Sequence, residues 1–188
     1  MPRIALARFV LFAVAIAAAC GARADEALWA LLKQGGQVVM IRHATTVPGT
    51  GDPPGFRIDD CSTQRNLSDD GREEARRIGE AFIRRGVPVA RVLSSRWCRC
   101  LETASIAFGG AEPSDALGNL YTHPERRDEQ LAAFRKLVAN PLRRANLVLV
   151  THGETIQSFV GVRPAQGEIV VATPRGAGEL RVAGRIAP

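Results

Sequence analysis

Two stretches of this chain are apolar without a break and then turn polar. Val38 to Ile41 (VVMI) runs into Arg42 and His43, and Leu147 to Val150 (LVLV) runs into Thr151, His152 and Gly153. A strand with one wetted face alternates apolar and polar residues, because successive side chains point to opposite faces. A run with no alternation is buried on both faces, as in parallel sheets covered by helices. The remaining pattern agrees, with strand-like runs alternating with amphipathic helices. The expected fold class is α/β, with a mostly parallel sheet in a three-layer α/β/α arrangement.

The helices can be placed from their ends. Residues 25–36 (DEALWALLKQGG) read as a short amphipathic helix. In LSDDGREEARRIGEAFIRRG, Ser68 caps, acids fill the first turn, arginines fill the last, and Gly86 stops the helix. A strand follows at VARVLSS, then a helix from about Arg96 to Phe108. Residues 109–122 read as irregular with a short strand. PERRDEQLAAFRKLVAN is a further helix, with Pro124 near its start. A short helix follows His152 and runs through Phe159, and GEIVVAT and ELRVAG form a closing strand pair at a sheet edge. Residues 44–60, rich in glycine and proline, form a long loop, and loops of that length in a compact domain are mostly functional.

The first 24 residues stand apart. Arg3 and Arg8 precede FVLFAVAIAAA, and ARA precedes Asp25. A basic start, an apolar run too short to span a bilayer and a small-x-small site together predict a secretory signal over 1–24, with one domain over 25–188. A lipoprotein attached through Cys20 is the weaker alternative. The expected location is therefore periplasmic or secreted. No later apolar run is long enough to cross a membrane. Of 25 Lys and Arg, Arg3, Arg8 and Arg23 lie in the leader, which leaves 22 against 19 acids, a net charge of +3. With no basic blocks interleaved with aromatics, a nucleic-acid partner is not expected. Oxidising surroundings predict one disulfide among Cys61, Cys98 and Cys100. The last two are too close to pair with each other, so Cys61 bridges to one of them.

Ligands of open α/β sheets bind beyond the carboxyl ends of the strands. Three strand ends would bring Arg42 and His43, Arg99 in the first turn of its helix, and His152 to one edge, beside a helix N-terminus. Such a pocket suits a phosphate dianion. Arginine forks hold the non-transferred oxygens, a neutral histidine attacks phosphorus, and a protonated one offsets developing charge. Arg65, in STQRNLS, either reaches the same phosphate or a second anion, or forms a structural ion pair.

IRHATT, LSDDGREEA, SSRWCRCLETA and LVTHGE, in that order, resemble the motifs of the histidine phosphatase superfamily, the phosphoglycerate-mutase-like fold, over roughly residues 37–160. The resemblance implies that His43 is the nucleophile that becomes phosphohistidine. It assigns Arg42, Arg99 and His152 to the phosphate pocket. Ala44 stands where the family has glycine, which is tolerated if its φ stays negative. Glu74 stands near the family's glutamine, a matter of helix packing rather than chemistry.

Mutase-type members carry an L-x-E acid after the middle strand, where this chain has Thr122. Glu125, Asp128 and Glu129 read as a solvated helix face and His123 as a loop residue. Phytase-type members place the acid just after the second histidine, so Glu154 is the expected proton donor. Exported members resembling this one use a cysteine just before the motif arginine. This favours Cys61–Cys98, which would tie the 44–66 loop to the helix of Arg99.

The function implied is an exported phosphatase acting on small phosphomonoesters without metal or cofactor, as a monomer or dimer. Two rivals are a catalytically silent module that binds phosphorylated envelope glycans, and a phosphatase dedicated to a lipopolysaccharide core sugar phosphate.

Overall fold

The structure, a computed structural model, describes residues 25–140 and 142–187. The expected signal segment lies outside the described residues. The elements are α1 (25–34), β1 (Val38–Arg42), α2 (Asp69–Arg84), β2 (Val89–Ser94), α3 (Cys98–Phe108), β3 (Glu112–Pro113), α4 (Arg127–Val138), β4 (Asn146–Thr151), α5 (Gly153–Val160), β5 (Ile169–Gly176) and β6 (Glu179–Ile186).

The sheet order is β3-β2-β4-β1-β5-β6. β1, β4, β2 and β3 run parallel, and β5 and β6 run antiparallel. The unbroken apolar runs are the two central strands. On β1, Val39 and Ile41 pack on one face with α1, α2 and α3 through Leu32, Ile78, Phe82 and Ala104. Val38 and Met40 pack on the other face with α4 and α5 through Phe134, Val138 and Ile156. β4 divides in the same way, with Val148 and Val150 on the first face and Leu147 and Leu149 on the second. Each central strand is thus buried on both sides, as its lack of alternation requires. The result is the expected three-layer α/β/α sandwich.

Helix boundaries follow local chemistry. The Ser68 hydroxyl accepts from the Gly71 N–H at 3.1 Å, and Asp69 and Asp70 occupy the first turn of α2. α2 and α3 come together at Gly79, where a Cβ would lie 2.3 Å from the Ala107 carbonyl oxygen. A side chain at that position would force the helices apart. The helix read from Pro124 onward begins as a 3-10 turn, Pro124–Arg126, before α4. Of the closing pair, only β6 is an edge strand, because β5 is hydrogen-bonded to β1.

Register aligns the strand ends. Arg42 of β1 is opposite Thr151 of β4, and Ser94 of β2 is opposite Val150. Hydrogen bonds continue past the ends, from His43 N to Thr151 O and from Ser95 N to Val150 O, both 2.9 Å. One residue beyond aligned partners, His43 and His152 are necessarily neighbours.

Candidate active site

Above these strand ends is a cavity of about 520 Å³, lined by Arg42, His43, Arg65, Arg99, His152 and Glu154 among others. All six residues singled out from the sequence therefore meet at one place. The two imidazole rings are 5.5 Å apart, centroid to centroid.

His43 is buried, and its Nδ1 is 2.9 Å from the Ala44 carbonyl oxygen. A carbonyl only accepts, so Nδ1 carries the proton and Nε2 keeps a lone pair. Burial, reinforced by the nearby Arg99 charge, pushes its pKa down to about 3. The ring is therefore neutral at any ordinary pH. His152 is the N-cap residue of α5, shares a 2.9 Å hydrogen bond between its Nε2 and the Ser95 hydroxyl, and packs T-shaped against Trp97 with centroids 5.3 Å apart. Its pKa lies well below the ordinary histidine value, again through burial and then Arg99. This departs from the expectation of a protonated second histidine. A neutral imidazole still donates one N–H, and a bound dianion would offset the arginines that hold the proton off.

The arginines are held in place by other elements. Arg42 donates from Nη1 to the Pro164 carbonyl at 3.0 Å. Arg65 donates from Nη1 to the Thr46 hydroxyl and the Gly49 carbonyl, both 2.8 Å, and the loop rather than an acidic side chain anchors it. Arg99 is gripped by Asp52, with Nη1 to Oδ1 at 2.6 Å and Nη2 to Oδ2 at 3.2 Å. The buried Nε atoms of Arg42, Arg65 and Arg99 make no hydrogen bond among the described residues. Buried donors are rarely left unpaired, and here three belong to arginines that line one cavity. Burial lowers the pKa of Arg42 and Arg65 from the usual arginine value, though both remain cations.

Glu154, in the first turn of α5, is the only acidic residue lining the cavity among the described residues. Its oxygens face Arg163 at 2.8 Å and Arg127 at 3.7 Å. His123 lies outside, exposed and bonded to Glu125. Among the described residues no group of three or more His, Cys, Asp or Glu side chains could hold a metal ion.

The 44–66 loop is fastened to the start of α3 in several ways. Cys61 and Cys98 form a disulfide, with Cα atoms 5.6 Å apart. The Gln64 side-chain oxygen accepts from the Cys98 N–H at 3.0 Å, serving a helix whose N-cap residue Trp97 has no capping side chain. Trp97 Nε1 donates to Asp52 at 3.1 Å. Cys100 remains a free thiol, fully buried, with its pKa raised to about 12 by burial, and is chemically inert.

Glu74 does more than pack helices. Its Oε2 accepts from Thr45 N at 2.7 Å and from the Thr45 hydroxyl at 3.0 Å, anchoring the turn after His43. Gly71 lets that turn approach, since a Cβ there would lie 1.8 Å from the Thr45 carbonyl oxygen. Ala44 is strain-free, because Ala177 is the only non-glycine residue with positive φ among those described. Its N–H donates to the Thr103 hydroxyl at 3.0 Å.

Sequence reasoning missed Asp52, Gln64, Asn119, Tyr121, Arg163 and Gln166. Asn119 and Tyr121 reach the cavity because Thr151 and Thr155 hydroxyls hold the Leu117 and Gly118 carbonyls at 2.6 and 2.7 Å.

The family model for the histidine phosphatase superfamily (branch 1) matches residues 38–120. The fold is that of the histidine phosphatase superfamily. The protein histidine phosphatase SixA, solved with tungstate, is 18% identical with a TM-score of 0.54, covering 81% of this chain and 97% of its own. SixA from Agrobacterium tumefaciens is 21% identical with a TM-score of 0.52, covering 82% and 99%. Phosphoglycerate mutase from Thermus thermophilus is 19% identical with a TM-score of 0.54, covering 81% and 99%. At these identities the likeness is one of fold. No curated protein matches the chain.

Proposed function

We propose that this chain is an exported phosphatase that hydrolyses phosphomonoesters through a phosphohistidine on His43. The observation that carries the reading is the cavity floor: a neutral, tautomer-fixed His43 among three arginines whose buried Nε donors lack partners. Export rests on the basic and apolar character of residues 1–24 and on the disulfide.

The chemistry runs in two balanced steps. Arg42, Arg65 and Arg99 hold the phosphate dianion, and His43 Nε2 attacks phosphorus in line. The P–O bond to the alcohol breaks, and the leaving oxygen takes a proton from Glu154. Glu154, now a carboxylate, removes a proton from water as the water attacks the phosphohistidine. Phosphate leaves, and both residues return to their starting states. His152 donates its N–H to the equatorial oxygens, where charge spreads in the transition state.

SixA is a protein histidine phosphatase. A phosphorylated protein imidazole therefore belongs in the substrate panel beside aryl, sugar and inositol phosphates and phosphopeptides. Turnover of any of these that disappears with His43→Ala supports the reading; turnover that persists removes it.

One observation favours a second reading, a phosphate-binding module without turnover: both Glu154 oxygens face arginines. Stoichiometric phosphate binding with no hydrolysis across the panel would establish it.

A further inference from the structure

Asp52 stands behind the cavity floor, touching the residues that form it without lining it. Its carboxylate takes the Nη1–Nη2 end of the Arg99 fork, and both side chains of the pair are only 1% exposed. It also accepts from Trp97 Nε1 and from the Arg65 backbone N–H, both at 3.1 Å. An end-on grip fixes the guanidinium plane and leaves Nε free of partners.

The grip also sets the charge of the pocket. Arg42, Arg65, Arg99 and Arg163 line the cavity. Glu154 is paired with Arg163 at 2.8 Å, and Asp52 with Arg99 at 2.6 Å. With Glu154 ionised in the empty pocket, the lining cations left uncompensated among the described residues are Arg42 and Arg65, matching in magnitude the two negative charges of a phosphate dianion. The proton that Glu154 passes to the leaving oxygen enters with the substrate monoanion.

We propose that Asp52 is a positioning residue that aims Arg99 and holds the pocket at the charge of a phosphate dianion, so that substrate is bound and product still released. This rests on the phosphatase reading. A pocket carrying one more positive charge would hold substrate and product alike more tightly, and uniform binding of that kind brings no gain in turnover.

The experiment compares Asp52→Asn, Asp52→Glu and wild type. It uses calorimetric binding of inorganic phosphate and p-nitrophenyl phosphate kinetics, with circular dichroism to verify folding. Removing one charge several ångströms from a dianion, even when screened by the dielectric of water of about 80, should tighten phosphate binding in Asp52→Asn by at least about tenfold. KM falls with it, and kcat falls because phosphate leaves more slowly. Asp52→Glu, which keeps the charge, returns the affinity toward wild type. A residue with a merely structural role would weaken binding and turnover together. Asp52→Asn that binds phosphate no more tightly than an active wild type overturns the proposal alone. Wild type that neither binds phosphate nor hydrolyses removes the phosphatase reading, and the proposal with it. Asp52→Ser, which keeps a hydroxyl acceptor for Trp97, carries the same expectation as Asp52→Asn, and unfolding of both variants counts against the proposal.

Discussion

Cys61 is covalently joined to Cys98, the residue immediately before Arg99 at the start of α3. The loop that carries Asp52 and Arg65 is thereby tied to the helix turn whose arginine it holds. Closing the 37-residue separation removes chain entropy from the unfolded state. Cys61→Ser/Cys98→Ser should therefore lose about 3–4 kcal/mol by the chain-entropy relation. Thermal unfolding should show this as a fall of about 10 °C. Hydrolysis should fall as well, because Gln64 and Asp52 lose their fixed approach to α3. Unchanged activity with unchanged melting would detach the disulfide from the site.

The buried histidines predict how stability depends on pH. His43 has a folded-state pKa of about 3 against an ordinary 6.5, and His152 is also depressed. Between about pH 6.5 and pH 3 the unfolded chain binds the His43 proton and the folded chain does not. Stability therefore falls as pH falls through that window, by about 1.4 kcal/mol per pH unit for His43, and His152 acts in the same direction. Urea unfolding measured at a series of pH values should show this slope, and His43→Gln should flatten it by about one histidine's share. A slope unaffected by His43→Gln would mean that the ring is protonated in the folded protein.

The turn after His43 rests on α2. Glu74→Ala would leave the Thr45 N–H and hydroxyl without their acceptor, at a cost of about 1–3 kcal/mol. Gly71→Ala would drive a Cβ against the Thr45 carbonyl and should cost at least as much as ordinary overpacking, about 1–3 kcal/mol. Both variants should lower kcat through His43, although neither residue lines the cavity. Normal kcat in destabilised variants would separate the turn from catalysis.

Glu154 can be tested through the leaving group. A general acid matters most when the leaving oxygen is basic. Glu154→Gln should reduce kcat on an alkyl phosphate by about 10²-fold, and far less on p-nitrophenyl phosphate. Equal losses on both would assign Glu154 to binding, in keeping with its contacts to Arg163 and Arg127.

The central strands and their polar ends were legible in the sequence. Unbroken apolar runs specify burial on both faces, and strand ends in a parallel sheet share one edge. Arg42, His43 and His152 followed from that rule, and Arg99 from its place one helix turn beyond β2. The disulfide partner of Cys61 was legible only through family resemblance, because spacing left Cys98 and Cys100 equivalent. Asp52 and Gln64 were not legible as site residues. Neither belongs to a periodic element, and their partners Arg99 and Cys98 lie 47 and 34 residues away. Glu74 was read as packing because helix periodicity gives the buried face but not the acceptor duty owed to Thr45. The charge state of His152 was misjudged because burial and a neighbouring arginine are properties of the folded state alone.

The most direct test of the mechanism is to trap its intermediate. Mature protein is mixed with a phosphate-labelled aryl ester, quenched in alkali, where phosphohistidine survives, and mapped by mass spectrometry. The phosphohistidine mechanism predicts label on His43 Nε2, lost on acid treatment, and neither label nor turnover in His43→Ala. Turnover by His43→Ala equal to wild type, or label on another residue, would contradict it.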